Sequence, residues 1–169
     1  MLNTASQSDE RAFGNASYAY KISKNRVIQS RLPIVGYLSG TFDLFHIGHL
    51  NILKRAKSQC DYLIVGVHVN AKHKDKEEFI PFGERKLIIE SVKYVDRVVE
   101  APREDNDAWD KYNYNKLFVG SDYKNTERFY QYENYFKDKN VEIIFFPYTS
   151  TTSSTQIRSL IDTYNEKNS

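Results

Sequence analysis

The chain has 169 residues, 27% of them charged and 40% hydrophobic, with a formal net charge of +2. That is long enough for one domain with a sizeable core, and too mixed in composition for a disordered or fibrous protein. So small a net charge argues against an extended nucleic-acid surface, a single cysteine excludes an intrachain disulfide, and no apolar run approaches membrane-spanning length. Met1 to Glu10 is polar and lacks the apolar centre of a signal peptide. A cytoplasmic protein is expected, with no membrane insertion and no nucleic-acid partner.

Residues 1–33 differ from the rest. Ser, Asn, Gln and Ala dominate the first part, followed by Lys21, Lys24, Arg26 and Arg31. They read as an N-terminal extension: a loose tail of a dozen or so residues, then a stretch from Ala12 to Ile28 that suits a short helix or an arm onto a partner subunit. Pro33 marks the entry to the folded domain, residues 34–169. Ile34 to Leu38 is an apolar run that predicts the first strand, and Leu50 to Lys57 has a helical pattern. Asp61 to Val69 is almost continuously apolar, as in a strand covered on both faces, with His68 expected to pack rather than react. Cys60 beside it is expected to be a packed small residue. A charged loop, Ala71 to Glu78, leads to a helix over Phe82 to Val92, in which Arg85 is expected to form a salt bridge on its own helix. Asp96 to Glu100 predicts a short strand, Asp105 to Tyr114 a loop with partial helix, and Lys116 to Val119 a strand ending in Gly120-Ser121-Asp122. Glu127 to Lys137 predicts an aromatic-rich helix, Val141 to Phe146 the last strand, and Ser153 to Tyr164 the last helix.

Strands alternating with helices predict an α/β fold: a Rossmann-like, doubly wound parallel sheet of about five strands with helices on both faces. Ligands of such sheets bind beyond the carboxyl ends of the strands. That rule gathers Thr41 to His49, the 70s loop, Gly120 to Asp122 and Tyr148 to Thr155 at one edge.

Three of these segments carry chemistry. In Gly40-Thr41-Phe42-Asp43-Leu44-Phe45-His46-Ile47-Gly48-His49, two of the four histidines stand three residues apart at a predicted strand-to-helix turn. That spacing puts both rings on one face of the opening turn. Gly48 lets a ligand approach the backbone, and the free amides of a helix start favour an anion. Asp43 is expected to cap the turn and orient the loop rather than act as a base. In the second segment every residue from Thr149 to Thr155 carries a hydroxyl. Ser153 followed by Gln156 is a capping box, and a hydroxyl-rich helix start is also a phosphate cradle. The third segment places Lys72, His73, Lys74 and Lys76 in one loop.

Gly-Thr-Phe-Asp followed by His-x-Gly-His resembles the signature of the cytidylyltransferase branch of the nucleotidyltransferases, in particular its glycerol-3-phosphate members, and the likeness runs from about Ile34 to Ile161. The resemblance implies transfer of a cytidylyl group from CTP to a phosphorylated small alcohol, with Mg²⁺ bridging the triphosphate, in a protein that forms a homodimer. It implies that His46, His49 and Lys74 are catalytic. The nucleotide would be bound by Gly40, Thr41, Phe42, His46, His49, Lys76, Gly120, Asp122, Tyr148, Thr149, Ser153, Ser154 and Thr155. The acceptor would be bound by Lys74, Trp109 and Lys111. Two positions depart from the family's Arg-Thr-x-Gly-Ile-Ser-Thr-Thr motif: Tyr148 stands for the arginine and Thr151 for the glycine. Arg158 or Lys76 could substitute for that arginine. The alternatives are a transferase of the same fold using ATP or another acceptor (choline, ethanolamine or sugar phosphate), and a catalytically silent nucleotide-binding protein. A dinucleotide-binding oxidoreductase is disfavoured, because the first loop lacks Gly-x-Gly-x-x-Gly.

Overall fold

The computed structural model describes residues 31–70, 77–147 and 152–168. Five strands are β1 (Val35–Gly40), β2 (Tyr62–Val67), β3 (Arg97–Glu100), β4 (Lys116–Gly120) and β5 (Glu142–Phe146). The helices are α1 (Ile47–Lys57), α2 (Phe82–Glu90), α3 (Asp105–Tyr112), α4 (Glu127–Phe136) and α5 (Ser154–Asn168), with one 3-10 turn over Ser121–Tyr123. The sheet order is β3-β2-β1-β4-β5 and every pairing is parallel. The chain therefore winds outward twice from β1, and the topological switch lies between β1 and β4.

Alternation along the strands divides the core between the two faces. Tyr37, Ile64, Leu117 and Val119 point to one side and pack against Ala108 of α3 and Phe129, Tyr132 and Phe136 of α4. Leu38, Leu63, Val65, Val67 and Phe118 point to the other, where Leu53 and Ala56 of α1 and Ile89 of α2 cover them. This is the expected doubly wound sheet. The half-buried Cys60 behaves as expected: its thiol donates to the Ala56 carbonyl at 3.3 Å, and burial pushes its pKa up to about 11.

Two local readings change. The segment from Asp105 is a regular helix ending at Tyr112, because Asn113 adopts φ 48° and closes it in the left-handed region that asparagine tolerates. The first helix begins at Ile47, before His49, and His46 is its N-cap. Residues 1–30 of the extension, Lys72, His73, Lys74, Lys76, Tyr148, Thr149, Ser150 and Thr151 lie outside the described residues. No helix among the described residues is long and apolar enough to cross a membrane.

Candidate active site

The turn between β1 and α1 is built on an unusual backbone. Phe42 and Leu44 have φ of 54° and 50°, the left-handed region that side chains rarely adopt. Strain of this kind persists only where the surroundings over-determine it. Asp43, between the two, is the anchor. It is 5% exposed, and its carboxylate accepts the Phe79 and Ile80 amides at 3.0 Å each. It also pairs with Nη2 of Arg158. Its carbonyl accepts the Ser154 hydroxyl at 3.0 Å. Asp43 thus orients the loop as expected, and it does so by tying three distant segments together.

Arg85 holds the same turn from the other side. Its side chain is 1% exposed and donates to four carbonyls: Thr41 at 2.6 Å, and Ile80, His68 and Val69 at 2.8 Å each. This corrects the expected salt bridge. The guanidinium is a fork that gathers the ends of β1 and β2 and the approach to α2. Burial lowers its pKa. The signal was in the spacing: Phe82, Arg85 and Ile89 share one helix face, and that face turns inward.

On this platform sit the histidines. Nδ1 of His46 accepts the Gly48 amide at 3.0 Å, so a histidine supplies the N-cap. An Nδ1 that accepts leaves the ring proton on Nε2, at the opposite edge of the imidazole. Burial lowers the pKa of His46, which favours this neutral form. His49 stacks on His46 with ring centroids 4.0 Å apart, and Phe42 and Phe45 flank it at 5.4 and 5.6 Å. Gly48 is required here. A Cβ on it would stand 2.7 Å from Cε1 of His46.

The rings face a cavity of about 610 Å³ at the carboxyl ends of β1, β4 and β5, on the topological switch. Its walls include Gly40, Thr41 and Phe42 of the first loop, Gly120 and Asp122 after β4, and Ser153, Ser154 and Thr155 at the start of α5. Arg55 and Arg158 are the cations among its described lining residues, and Asp43 and Asp122 the acids. The Thr41 hydroxyl is buried without a hydrogen-bond partner among the described residues, a position that a bound ligand would satisfy. A larger hollow of about 830 Å³ lies at the other end of the sheet, by Asn115, Lys116 and Glu142, and neither histidine lines it.

Comparison with known proteins places the chain in a family. The profile of the family described as cytidylyltransferase-like matches residues 37–160. The chain belongs to the cytidylyltransferase-like family. Glycerol-3-phosphate cytidylyltransferase of Bacillus spizizenii is 33% identical over 123 residues, 70% of this chain and 90% of that protein. The ethanolamine-phosphate cytidylyltransferase of Dictyostelium discoideum is 48% identical, but over 67 residues, 37% of this chain and 19% of that protein. A lipopolysaccharide core biosynthesis protein from Thermoplasma volcanium shares the fold, with TM-score 0.60 at 22% identity over 71% of this chain and 99% of that one. The protein is a nucleotidyltransferase.

Within this cytidylyltransferase-like domain the described residues expected to bind the nucleotide line one cavity. The α5 start is the predicted capping box: the Ser153 amide donates to the Gln156 side chain at 2.8 Å, and the Gln156 amide to the Ser153 hydroxyl at 3.2 Å. Trp109 and Lys111, expected to bind the acceptor, do not line this cavity. The Trp109 indole N–H is used by the Tyr114 carbonyl at 3.1 Å, and its ring packs on Tyr135 and Phe136 in the core. Lys111 lies over the Tyr112 ring. No group of three metal-ligating side chains occurs among the described residues, so they build no dedicated metal cage.

Proposed function

We propose that the protein transfers a cytidylyl group from CTP to the phosphate of a small phosphorylated alcohol, with glycerol 3-phosphate preferred, giving CDP-glycerol and pyrophosphate. The observation that carries this reading is the stacked pair of imidazoles on a helix start, with His46 held as an Nε2–H donor at the cavity. Preference for glycerol 3-phosphate is supported by relatives of that activity that match 70% of this chain and about nine-tenths of their own length. The ethanolamine-phosphate relatives match stretches of 67 to 71 residues.

In the reaction an oxygen of the acceptor phosphate attacks the α-phosphorus of CTP. A new P–O bond forms, and the bond from the α-phosphorus to the bridging oxygen breaks as pyrophosphate leaves. The attacking oxygen is already ionised near neutral pH, since the second pKa of a phosphate monoester is about 6. No general base is needed. His46 and His49 would donate to the α- and β-phosphates as charge grows on the five-coordinate phosphorus. Thr41, Ser153, Thr155 and Asp122 would shape the remainder of the nucleotide site. Lys74 would bring in the acceptor phosphate, and Lys76 would hold the outer phosphates. Mg²⁺ would arrive with the triphosphate as part of the substrate, and Asp122 is the lining carboxylate suited to meet it. The protein's share of the work is positioning and charge stabilisation. A homodimer in the cytoplasm is the expected setting.

A matrix of nucleoside triphosphates against phosphorylated alcohols, with Mg²⁺ and pyrophosphate release as the readout, tests this. CTP with glycerol 3-phosphate should give the highest kcat/KM. A clear preference for ATP would replace the cytidylyl reading, in line with the 69-residue match to an FAD synthase. CTP binding without turnover on any acceptor would point instead to a silent nucleotide-binding protein.

A further inference from the structure

The chain enters the folded domain on a fixed path. Both terminal nitrogens of the Arg31 guanidinium donate to the Asp61 carboxylate at 2.8 Å, and the Ile34 amide donates to it at 2.7 Å. Between these anchors Leu32, Pro33 and Ile34 form one wall of the hollow of about 830 Å³ at the amino ends of β4 and β5. Much of the remaining wall comes from the end of α4 and the turn that leads to β5. We propose that residues 20–30 of the same chain lie in this hollow, with Val27 and Ile28 on its apolar floor, and that they brace the corner between α4 and β5.

The floor of the hollow is apolar and its rim is uncovered. Phe136, Val141 and Ile143 line it beside Leu32, which is 75% exposed. Contiguous apolar surface in a concave setting marks a place where another segment or molecule sits. The tether names the segment. Each residue of chain spans at most about 3.5 Å, so Ile28 lies within about 14 Å of Leu32 and Val27 within about 18 Å. Two β-branched apolar residues are therefore held beside an open apolar hollow, at an effective concentration on the order of millimolar. A second copy or a free partner meets the hollow only at its own concentration, so the tethered segment has the advantage over both.

Charge agrees with this choice. From residue 11 to residue 42 the chain has no acidic residue, and residues 20–30 carry Lys21, Lys24 and Arg26. Glu133 and Glu142 are the acids among the described residues that line the hollow. Glu142 meets Lys116 at 3.3 Å, while Glu133 has no ion pair among the described residues. Lys137 also lines the hollow, so the surface is not strongly acidic. An exposed ion pair adds little stability, so apolar contact carries the docking and the pair sets its direction. The hollow is at the opposite end of the sheet from the histidines, and the family match begins only at residue 37. The segment thus braces the domain away from the cavity, and its loss should change local opening rather than turnover.

Zero-length carbodiimide cross-linking of the full-length protein tests the assignment without any substitution. The sample is an equal mixture of unlabelled and isotope-labelled chains, and the products are read by mass spectrometry. Lys21 or Lys24 should be joined to Glu133 or Glu142 within one chain. Cross-links that reach other carboxylates but not these two overturn the proposal. Mixed-isotope products at these glutamates overturn it as well, because they put a second copy in the hollow. Hydrogen exchange on the full-length double variant V27D/I28D is the second measurement. Amides of residues 137–141 should exchange about tenfold faster or more than in the unaltered protein, with kcat within about twofold. Tryptic cleavage after Lys24 and Arg26 should quicken alongside. Unchanged exchange over residues 137–141 would overturn the docking. A fall in kcat without faster exchange there would overturn it too, by placing the segment at the cavity.

Discussion

Two helix starts line the cavity, and they solve the same problem differently. Both must satisfy backbone amides that have no partner within the helix. At α5 the solution is closed: Ser153 and Gln156 serve each other's amides. At α1 the solution is open. The capping atom is Nδ1 of a histidine, and the opposite edge of the same ring remains a donor at the cavity. One helix start is stapled for stability. The other uses its cap to fix the tautomer and direction of a ring that lines the cavity. The lesson is that a cap can also position a side chain when the capping residue carries a second polar atom.

That contrast can be broken by substitution. The largest effect is expected at the stacked ring: His49→Ala should lower kcat by on the order of a hundredfold or more, the usual cost of losing one preorganised donor. Near-normal turnover measured by pyrophosphate release would remove the histidine pair from the mechanism. Gly48→Ala is the sharper test. The new Cβ would stand 2.7 Å from the His46 ring and must displace it. The expected outcome is kcat down by about tenfold or more with no matching loss in thermal midpoint. Equal kcat would show that the ring's placement on its cap does not matter.

At α5 the signs reverse. Ser153→Ala should cost about 1 kcal/mol of stability, the typical value of a lost cap. Denaturant unfolding measures it, and because Ser153 also lines the proposed nucleotide site, the KM for CTP should rise as well. A large kcat loss without a stability loss would show that the α5 start is not a closed cap. The smallest effect concerns pH. The folded state holds His46 neutral, with its pKa lowered by burial from the ordinary 6.5. The unfolded chain therefore binds more protons just below that value. Stability from this group is whole above 6.5 and is lost as pH falls through the lowered folded value, where a protonated Nδ1 can no longer accept the Gly48 amide. An NMR titration of the His46 ring should give a pKa below 6.5, and a raised value would contradict the cap.

The sheet and its helices were legible in the sequence because each strand is a short apolar run and each helix has a one-sided apolar stripe. The histidine loop was legible because its residues are contiguous, so local spacing alone brings them together. The same holds for the α5 capping box, a three-residue relation confirmed at 2.8 and 3.2 Å. The packing of Trp109 was not legible: no local pattern announces that its ring meets Tyr135 and Phe136 of the next helix.

By itself the sequence determined the element order, the parallel sheet, the site's edge and its paired rings, since all of these follow from local period and near-neighbour spacing. Only the tertiary structure decided what holds the site. Asp43 meets Phe79, Ile80, Ser154 and Arg158, and Arg85 meets Thr41, Ile80, His68 and Val69. Most of those partners are far apart along the chain and become neighbours when the sheet brings its strand ends to one edge. A buried charge selects its partners by position in space, so no one-dimensional pattern can announce them.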